Sequence, residues 1–362
     1  MRIWILLEHL SGKGGVETVV TAVSQHFSRM GHEVIIWLPD PSDDTLWESH
    51  CARVCYYSAS LTSDMSSLEV VVQKSIALAQ QAILRGLPDL IVATHVPHTT
   101  LYARLAIGYN SEIPIISWLH NPPSRFHDPH LINYADIHWA ISKGIASEVQ
   151  SILKPPRPVI WIGNPVDAAV GPISFSAKSR FLFIGRLENA QKRVDVLLKG
   201  FQRVEGDWEL DIYGTGPDEA TLRSLAQDLL IHDRVKWHGW VSSVWDRISS
   251  ATALVLTSDF EGMPMIIGEA LARGLPVIST DCHAGPAEMI RHGENGWLTP
   301  TGDSRTLADV LSHVMQLKEP DWSRYSRQAR ESVGPYHIEQ VAGRMIHSLE
   351  PSVSDERLAI RG

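Results

Sequence analysis

The most distinctive segment of the sequence, residues 258–269, reads SDFEGMPMIIGE and holds two glutamates, Glu261 and Glu269, with seven residues between them. Carboxylates accept pairs of hydrogen bonds from hydroxyl groups, so one could hold the hydroxyls of a sugar and the other those of a ribose. If Ile266 opens a helix, Glu261 lies in the preceding loop and Glu269 on the first turn of that helix. The alternative is that Glu269 is only a first-turn acid favoured by the helix dipole.

Two cations follow a predicted strand near the middle of the chain. Gly185 and Arg186 come directly after the apolar residues 181–184, and Lys192 follows just before a predicted helix. A guanidinium is a forked donor and an ammonium a compact charge, and together they would neutralise a diphosphate. The alternative is that both are solvated surface charges.

A glycine-rich loop follows the first apolar run. Gly14 and Gly15 belong to the sequence SGKGGVE, residues 11–17, which opens a helix and offers backbone N–H groups to an anion. The spacing is neither that of a phosphate-loop ATPase nor that of a dinucleotide-binding dehydrogenase, which disfavours both classes. A tight turn without a ligand fits the loop equally well.

Two series of alternating strands and helices must position these groups. The predicted strands are residues 3–7, 33–38, 90–93, 113–119, 137–141 and 159–162, and then residues 181–184, 209–213, 235–237, 253–256 and 276–279. This pattern predicts an α/β protein with two Rossmann-like, doubly wound parallel sheets. Because such sheets bind ligands at the carboxyl ends of their strands, we expect the two domains to face each other across a cleft that holds the active site.

Proline-rich turns at residues 155–165 indicate where the chain leaves its first domain. We expect an N-terminal domain of residues 1–168 and a C-terminal domain of residues 169–335. A helix within residues 336–350 is expected to return to the N-terminal domain, and residues 351–362 to form a flexible tail.

Charge and cysteine content limit the partners and the compartment. The formal net charge of −9, with no cluster of basic residues, excludes a nucleic-acid partner and allows at most peripheral membrane contact. Three cysteines provide neither a disulfide framework nor a four-ligand metal set, and the first apolar run is too short for a signal peptide. We therefore expect a cytoplasmic protein.

Several motifs together resemble the retaining glycosyltransferases of family 4, which have the GT-B fold of two Rossmann-like domains. They are GGVE at residues 14–17, GRL at 185–187 with Lys192, Glu261 with Glu269, and GPAE at 285–288 with Gly293 and Gly296. Within that family, WLH at residues 118–120, AIS at 140–142, HGW at 238–240 and FEGMPM at 260–265 are most similar to bacterial galactosyltransferases that decorate the lipopolysaccharide core from UDP-galactose.

The resemblance implies roles for the residues of both domains. The Gly15 N–H beside Gly14, with Arg186 and Lys192 beside Gly185, would bind the diphosphate, and Glu269 would bind the ribose. The residues that would hold the donor sugar are His120, Glu261, Gly262, Met263, Pro264 and Met265. Those that would lie near the nucleotide base are Tyr213, Gly214, Gly216, His238 and Trp240. His120 has an alternative as a core histidine satisfied by the backbone. His120, Arg186, Lys192 and Glu261 are the implied catalytic residues.

The resemblance also implies the reaction. The enzyme would transfer a hexose with retention of configuration from a UDP-sugar, with UDP-galactose favoured over UDP-glucose and UDP-N-acetylglucosamine. The acceptor would be a saccharide or lipid-linked saccharide of the bacterial cell envelope, read mainly by the N-terminal domain and met at the inner face of the cell membrane. We expect no metal or other cofactor, because the two cations can neutralise the leaving diphosphate.

Two other functions are compatible with the same motifs. A UDP-sugar 2-epimerase resembles this fold but needs acids and bases placed to move a proton on the sugar ring. A non-catalytic subunit that binds a sugar nucleotide within an envelope assembly complex is the second, although the presence of both cations and both glutamates argues against it.

Overall fold

The computed structural model describes residues 1–12, 14–58, 61–62, 64–167 and 170–349. These residues form two compact units, one containing Met1–Pro165 and the last helix of the chain, and the other containing Val166–His337. The expected domain boundary at residues 168 and 169 and the expected tail, residues 351–362, lie outside the described residues.

The N-terminal unit alternates strands and helices: β1 (Arg2–Leu6), α1 (Gly15–Arg29), β2 (Glu33–Leu38), α2 (Thr45–His50), β3 (Val54–Tyr56), α3 (Ser67–Arg85), β4 (Leu90–Ala93), α4 (His98–Ile107), β5 (Ile115–Leu119), β6 (Ile137–Ala140), α5 (Lys143–Ile152) and β7 (Val159–Trp161). The strands form one parallel sheet in the order β3-β2-β1-β4-β5-β6-β7, so the order reverses between β1 and β4. β3 was not predicted, because its apolar run is only three residues long, half-buried and at the sheet edge.

The C-terminal unit repeats the pattern: β8 (Ser174–Phe175), β9 (Arg180–Ile184), α6 (Asn189–Lys192), α7 (Val194–Gln202), β10 (Glu209–Tyr213), α8 (Glu219–Asp228), β11 (Val235–Gly239), β12 (Ser250–Ala251), β13 (Ala253–Leu256), α9 (Met265–Ala272), β14 (Val277–Thr280), α10 (Pro286–Met289), β15 (Gly296–Thr299), α11 (Ser304–Met315) and α12 (Glu319–Ser332). The main sheet is parallel in the order β11-β10-β9-β13-β14-β15, and β12 pairs with β8 in a small separate sheet. The prediction of two doubly wound sheets is confirmed.

The last helix, α13 (Ile338–His347), belongs to the N-terminal unit and packs on α1. Arg344 donates to the backbone oxygen of Ile162 at 2.6 Å, and Trp139 Nε1 donates to Ser348 Oγ at 2.8 Å. Helix α13 and Ser348 are therefore attached to β6 and to the residue that follows β7.

The strand order locates the ligand crevice of each sheet. In doubly wound sheets a ligand binds outside the carboxyl ends of the strands where the order reverses. These are β1 and β4 in the N-terminal unit and β9 and β13 in the C-terminal unit. Within the described ranges, none of the helices combines the length and apolar character needed to cross a bilayer.

Candidate functional site

The loops after β9 and β13 are joined by backbone and side-chain hydrogen bonds. The Asp259 N–H donates to the Gln191 oxygen at 2.9 Å, and Gln191 Nε2 donates to the Phe260 oxygen at 3.2 Å. Thr257 Oγ1 donates to the Lys192 oxygen at 3.0 Å and lies 2.9 Å from that of Arg193. The two loops at the reversal point of the sheet therefore form one structure, and each fixes the position of the other.

Lys192 and Glu261 meet within this structure. Lys192 Nζ donates to Glu261 Oε1 at 2.5 Å, and Ser258 Oγ donates to the same oxygen at 2.7 Å. Only 17% of the lysine side chain and 8% of the glutamate side chain are exposed. The two charges thus stabilise each other in a place that water reaches poorly, and the ammonium keeps further donor capacity for a ligand.

Arg193, which follows Lys192 in the chain, adds an ion pair between the two loops. Its backbone is left-handed, with φ +47°, and its guanidinium donates to Asp259 at 2.9 Å and to Asp195 at 3.0 Å. These two carboxylates raise the pKa of Arg193 above its usual value. The sequence analysis assigned no role to Arg193, because a partner such as Asp259, 66 residues away, cannot be identified without the fold.

Arg186 is placed differently from Lys192. Its side chain is 69% exposed, and its Nε atom lies 3.4 Å from Glu188 Oε2. An exposed guanidinium with one weak partner can move toward an anion at little cost. The two expected phosphate ligands therefore differ, since one is fixed by a buried glutamate and the other is exposed at the surface.

Glycines allow the loops after β9 and β10 to approach each other. A Cβ atom at Gly214, whose φ is +132°, would overlap the backbone oxygen of Gly185, and one at Gly216 would overlap that of Leu187. The Leu187 N–H donates to the Thr215 oxygen at 3.0 Å. The structure thus brings Gly185, Gly214 and Gly216 together, and a Cβ at Gly185 would lie 4.0 Å from Lys192 Cε.

Tyr213 and His238 form a stacked pair at the ends of β10 and β11. Their ring centroids are 4.3 Å apart with an interplanar angle of 10°. His238 Nε2 lies 2.5 Å from the buried Asp211, which also accepts from Arg180 at 2.5 Å. The His238 ring is therefore fixed by protein groups, while Trp240, just beyond the strand, is 53% exposed.

The loop of Gly262, Met263 and Pro264 leads into α9, and here the sequence-based placement of Glu269 is wrong. The helix begins at Met265 rather than Ile266, because Pro264 takes an extended conformation and serves as the N-cap. The first turn contains no acidic residue, so Glu269 lies beyond it. A helix-dipole role for Glu269 is therefore excluded.

Glu269 is instead held by an indole. Trp245 Nε1 donates to Glu269 Oε2 at 2.7 Å, and the Arg273 guanidinium lies 4.7 Å from the Trp245 ring centroid. Gly285, with φ +91°, supports the neighbouring loop, since a Cβ there would lie 2.8 Å from the Gly262 oxygen. The sequence analysis did not identify Trp245. The sequence indicates its role only through an indole N–H donor in a segment without a strong apolar pattern.

The glycine-rich loop of the N-terminal unit closes around Glu17. The Gly12 N–H donates to Glu17 Oε1 at 3.1 Å, and a Cβ atom at Gly14 would overlap the same carboxylate. Gly14 is the N-cap of α1 and brings no side chain to the cap, and Gly15 opens the helix at an exposed position. Lys13, within this loop, lies outside the described residues.

His120 follows β5, and one of its two ring nitrogens lacks a hydrogen bond within the described part of the chain. Its Nε2 atom is buried and has no hydrogen-bond partner among the residues that the structure describes. Burial, with a smaller contribution from His95, lowers the pKa of His120 to about 3. The imidazole is therefore uncharged near neutral pH and retains an unused polar atom for a ligand.

Comparisons with known proteins assign both units to one class of enzyme. Residues 13–170 match the family model described as Glycosyltransferase Family 4, and residues 178–316 match the model described as Glycosyl transferases group 1. The lipopolysaccharide 1,6-galactosyltransferase of Salmonella typhimurium is 32% identical over 330 residues, covering 88% of this chain and 89% of the relative. That of Escherichia coli K12 is 31% identical over 323 residues, covering 86% and 88%.

Solved structures agree with this assignment. The lipopolysaccharide outer core galactosyltransferase WaaB, in its apo form, superposes with a TM-score of 0.83 at 28% identity, covering 96% of this chain and 99% of that one. Anabaena HepE, solved in complex with UDP-glucose, superposes with a TM-score of 0.79 at 19% identity over 96% and 99% of the two chains. The second likeness concerns the fold alone.

Proposed function

We propose that this chain, which belongs to the family 4 glycosyltransferases and has their GT-B fold, transfers a hexose from a UDP-sugar to a saccharide or lipid-linked saccharide acceptor in cell-envelope biosynthesis. UDP-galactose is the favoured donor, because the two relatives that match most of the chain are galactosyltransferases. UDP-glucose and UDP-N-acetylglucosamine are the alternatives. The reaction takes place in the cytoplasm, at the inner membrane face when the acceptor is lipid-linked.

The observation that carries this proposal is the Lys192–Glu261 pair at the reversal point of the C-terminal sheet. Lys192, with the exposed Arg186, neutralises the diphosphate, and Glu261 accepts hydrogen bonds from the sugar hydroxyls. Because the glutamate fixes the lysine, one contact aligns the phosphate and sugar parts of the donor. The backbone of Gly262, Met263 and Met265 borders the sugar on the same side.

The remaining donor-binding residues have separate roles in the proposal. Glu269, oriented by Trp245, binds the ribose hydroxyls. Backbone groups beside Tyr213, Gly214, Gly216, His238 and Trp240 read the edge of the base. The N-terminal unit contributes the Gly15 N–H, next to Gly14, to the diphosphate and the neutral His120 imidazole to the sugar.

The proposed transfer retains the configuration of the anomeric carbon. The bond between that carbon and the β-phosphate oxygen breaks, the acceptor oxygen forms a bond on the same face, and the acceptor proton passes to the departing phosphate. Lys192 and Arg186 stabilise the negative charge that grows on UDP, which is the interaction expected to contribute most to the rate. This charge neutralisation needs no added metal ion.

A donor screen tests the proposal. Purified protein is mixed with UDP-galactose, UDP-glucose, UDP-N-acetylglucosamine or GDP-mannose, and the melting temperature, UDP release and products are measured. We expect one UDP-hexose to raise the melting temperature and to be hydrolysed slowly until a saccharide acceptor accelerates UDP release and yields a retained glycoside. A new sugar nucleotide without an acceptor would instead identify an epimerase, and UDP binding without turnover on an acceptor panel would identify a binding subunit.

A further inference from the structure

The N-terminal unit contains a pocket of about 380 Å³ to which the sequence analysis assigned no function. Its lining includes Glu8, Val70, Lys74, His95, His98 and Tyr102. Glu8 follows β1 and His95 follows β4, so the pocket lies at the reversal point of the N-terminal sheet. Its size is within the range of sites for small ligands and suits one or two sugar rings.

The charges of this pocket are paired with each other. Lys74 Nζ donates to a Glu8 carboxylate oxygen, and the Tyr102 hydroxyl donates to the other one at 3.0 Å. The lysine side chain is only 11% exposed, and its ammonium lies 5.6 Å from the centroid of the Tyr102 ring. Lys74 is therefore a nearly buried cation whose charge is balanced by Glu8.

Two histidines also border the pocket. Burial lowers the pKa of His95 below its ordinary value, which keeps this imidazole neutral at neutral pH. His98 Nε2 lies 3.6 Å from Asp128 Oδ2, a carboxylate outside the Glu8–Lys74 pair. Val70 and Val71 provide an apolar wall beside these polar groups.

We propose that this pocket binds the acceptor as an uncharged sugar ring and selects against phosphorylated or acidic sugars, an inference that rests on the proposed transfer reaction. Hydroxyl groups can accept from the ammonium and donate to the carboxylate without separating the pair. A phosphate at the same place meets the Glu8 carboxylate directly, and capturing Lys74 would leave that carboxylate unpaired. The Glu8–Lys74 pair is thus a specificity determinant.

The first test fills the pocket. Val70→Trp places an indole in it without altering a charge. Leu84→Trp is the matched control, because Leu84 lies on the same helix and is 76% exposed. Binding of a panel of methyl hexosides is measured by saturation-transfer NMR, which requires no turnover, and UDP titration reports the donor site separately. We expect Val70→Trp to weaken hexoside binding about tenfold or more. Hexoside binding by Val70→Trp equal to that by Leu84→Trp would overturn the proposal.

The second test changes the charge balance. Glu8→Gln leaves Lys74 unpaired and should lower the preference for methyl hexosides over hexose 6-phosphates about tenfold or more. Adding Lys74→Met to that variant restores neutrality and should restore the preference for uncharged sugars. A wild-type preference for the phosphorylated sugars, or a ratio unchanged by Glu8→Gln, would overturn the proposal. Failure of UDP binding with intact hexoside selectivity would count against the proposed function and not against the pocket.

Discussion

The Lys192 ammonium donates a hydrogen bond of 2.5 Å to Glu261 Oε1, which joins two residues 69 positions apart in the chain. Because both side chains are largely buried, removing either charge leaves the other without its partner. The pair therefore couples the positions of the expected phosphate and sugar ligands, so its variants should affect donor binding and the chemical step together.

Glu261→Gln should keep the shape of the site and remove the charge. The amide oxygen can still accept from Lys192 and Ser258, but the buried Lys192 ammonium loses its counter-charge, so the melting temperature should fall, and donor hydroxyls lose a charged acceptor. We expect kcat/KM for the preferred UDP-sugar to fall about 10- to 100-fold. Initial rates of UDP release measure this. Glu209→Gln, which alters an exposed carboxylate, should retain the wild-type rate, and equal rates for the two variants would contradict the assignment.

Trp245→Phe should weaken donor binding by releasing Glu269. The phenyl ring keeps most of the packing but cannot donate to the carboxylate, which then samples several rotamers. Calorimetric titration with UDP should give a Kd about five- to tenfold higher than that of the wild type. Trp237→Phe, whose ring is covered by Arg223 at 4.9 Å, is the matched control and should bind UDP normally.

Gly214→Ala should destabilise the C-terminal unit. The added methyl group would overlap the Gly185 oxygen at a backbone φ of +132°. We expect a loss of about 2 kcal/mol or more in the free energy of unfolding. Gly343→Ala, in helix α13 with open space around its Cβ position, should instead stabilise the chain by about 0.5 to 1 kcal/mol. Denaturant titration of both variants measures the difference, and destabilisation by both would contradict this account.

Two histidines whose pKa values are lowered in the fold should make stability fall in acid. Burial lowers the pKa of His120 to about 3 and that of His138 to about 4, whereas the unfolded chain has values near 6.5. As the pH falls below 6.5, the unfolded state takes up protons first, so the contribution of these groups is complete above 6.5 and is lost toward pH 3. Urea titrations at about pH 7.5 and 4.5 measure the free energy of unfolding. Between these two pH values it should fall less for His120→Gln than for the wild type. The exposed His232→Gln should behave as the wild type does.

Transfer should survive chelation. The account assigns neutralisation of the diphosphate to Lys192 and Arg186, so excess EDTA should leave the rate of UDP release unchanged. Loss of activity on chelation, restored by Mg²⁺ or Mn²⁺, would show that the two cations are insufficient.

The sequence was sufficient to predict most strands of the two main sheets, but not β3, β15 or the pairing of side chains. Buried parallel strands such as Glu33–Leu38 and Ala253–Leu256 appear as continuous apolar runs, so their bounds were predicted correctly. Lys192 and Glu261 were assigned to different parts of the donor, because hydrogen bonds between loops 69 residues apart depend on the folded backbone. The contact between Trp245 and Glu269 could not be predicted for the same reason.

The start of α9 shows a second limit. The segment from Met263 to Ile267 is uniformly apolar except for Pro264, and either Met265 or Ile266 could open the helix. A shift of one residue moved Glu269 out of the first turn and removed the dipole-based explanation for its position. Helix ends are determined by local capping and packing, so the spacing of apolar residues in the sequence does not predict the exact first residue.

The most direct test of the account is the single-turnover rate of hexose transfer by Lys192→Ala, with the preferred UDP-sugar at saturation and Lys236→Ala, an exposed lysine at the sheet edge, as control. The account predicts that Lys192→Ala slows the chemical step about 10²- to 10³-fold while Lys236→Ala keeps the wild-type rate. Near-wild-type transfer by Lys192→Ala would contradict it.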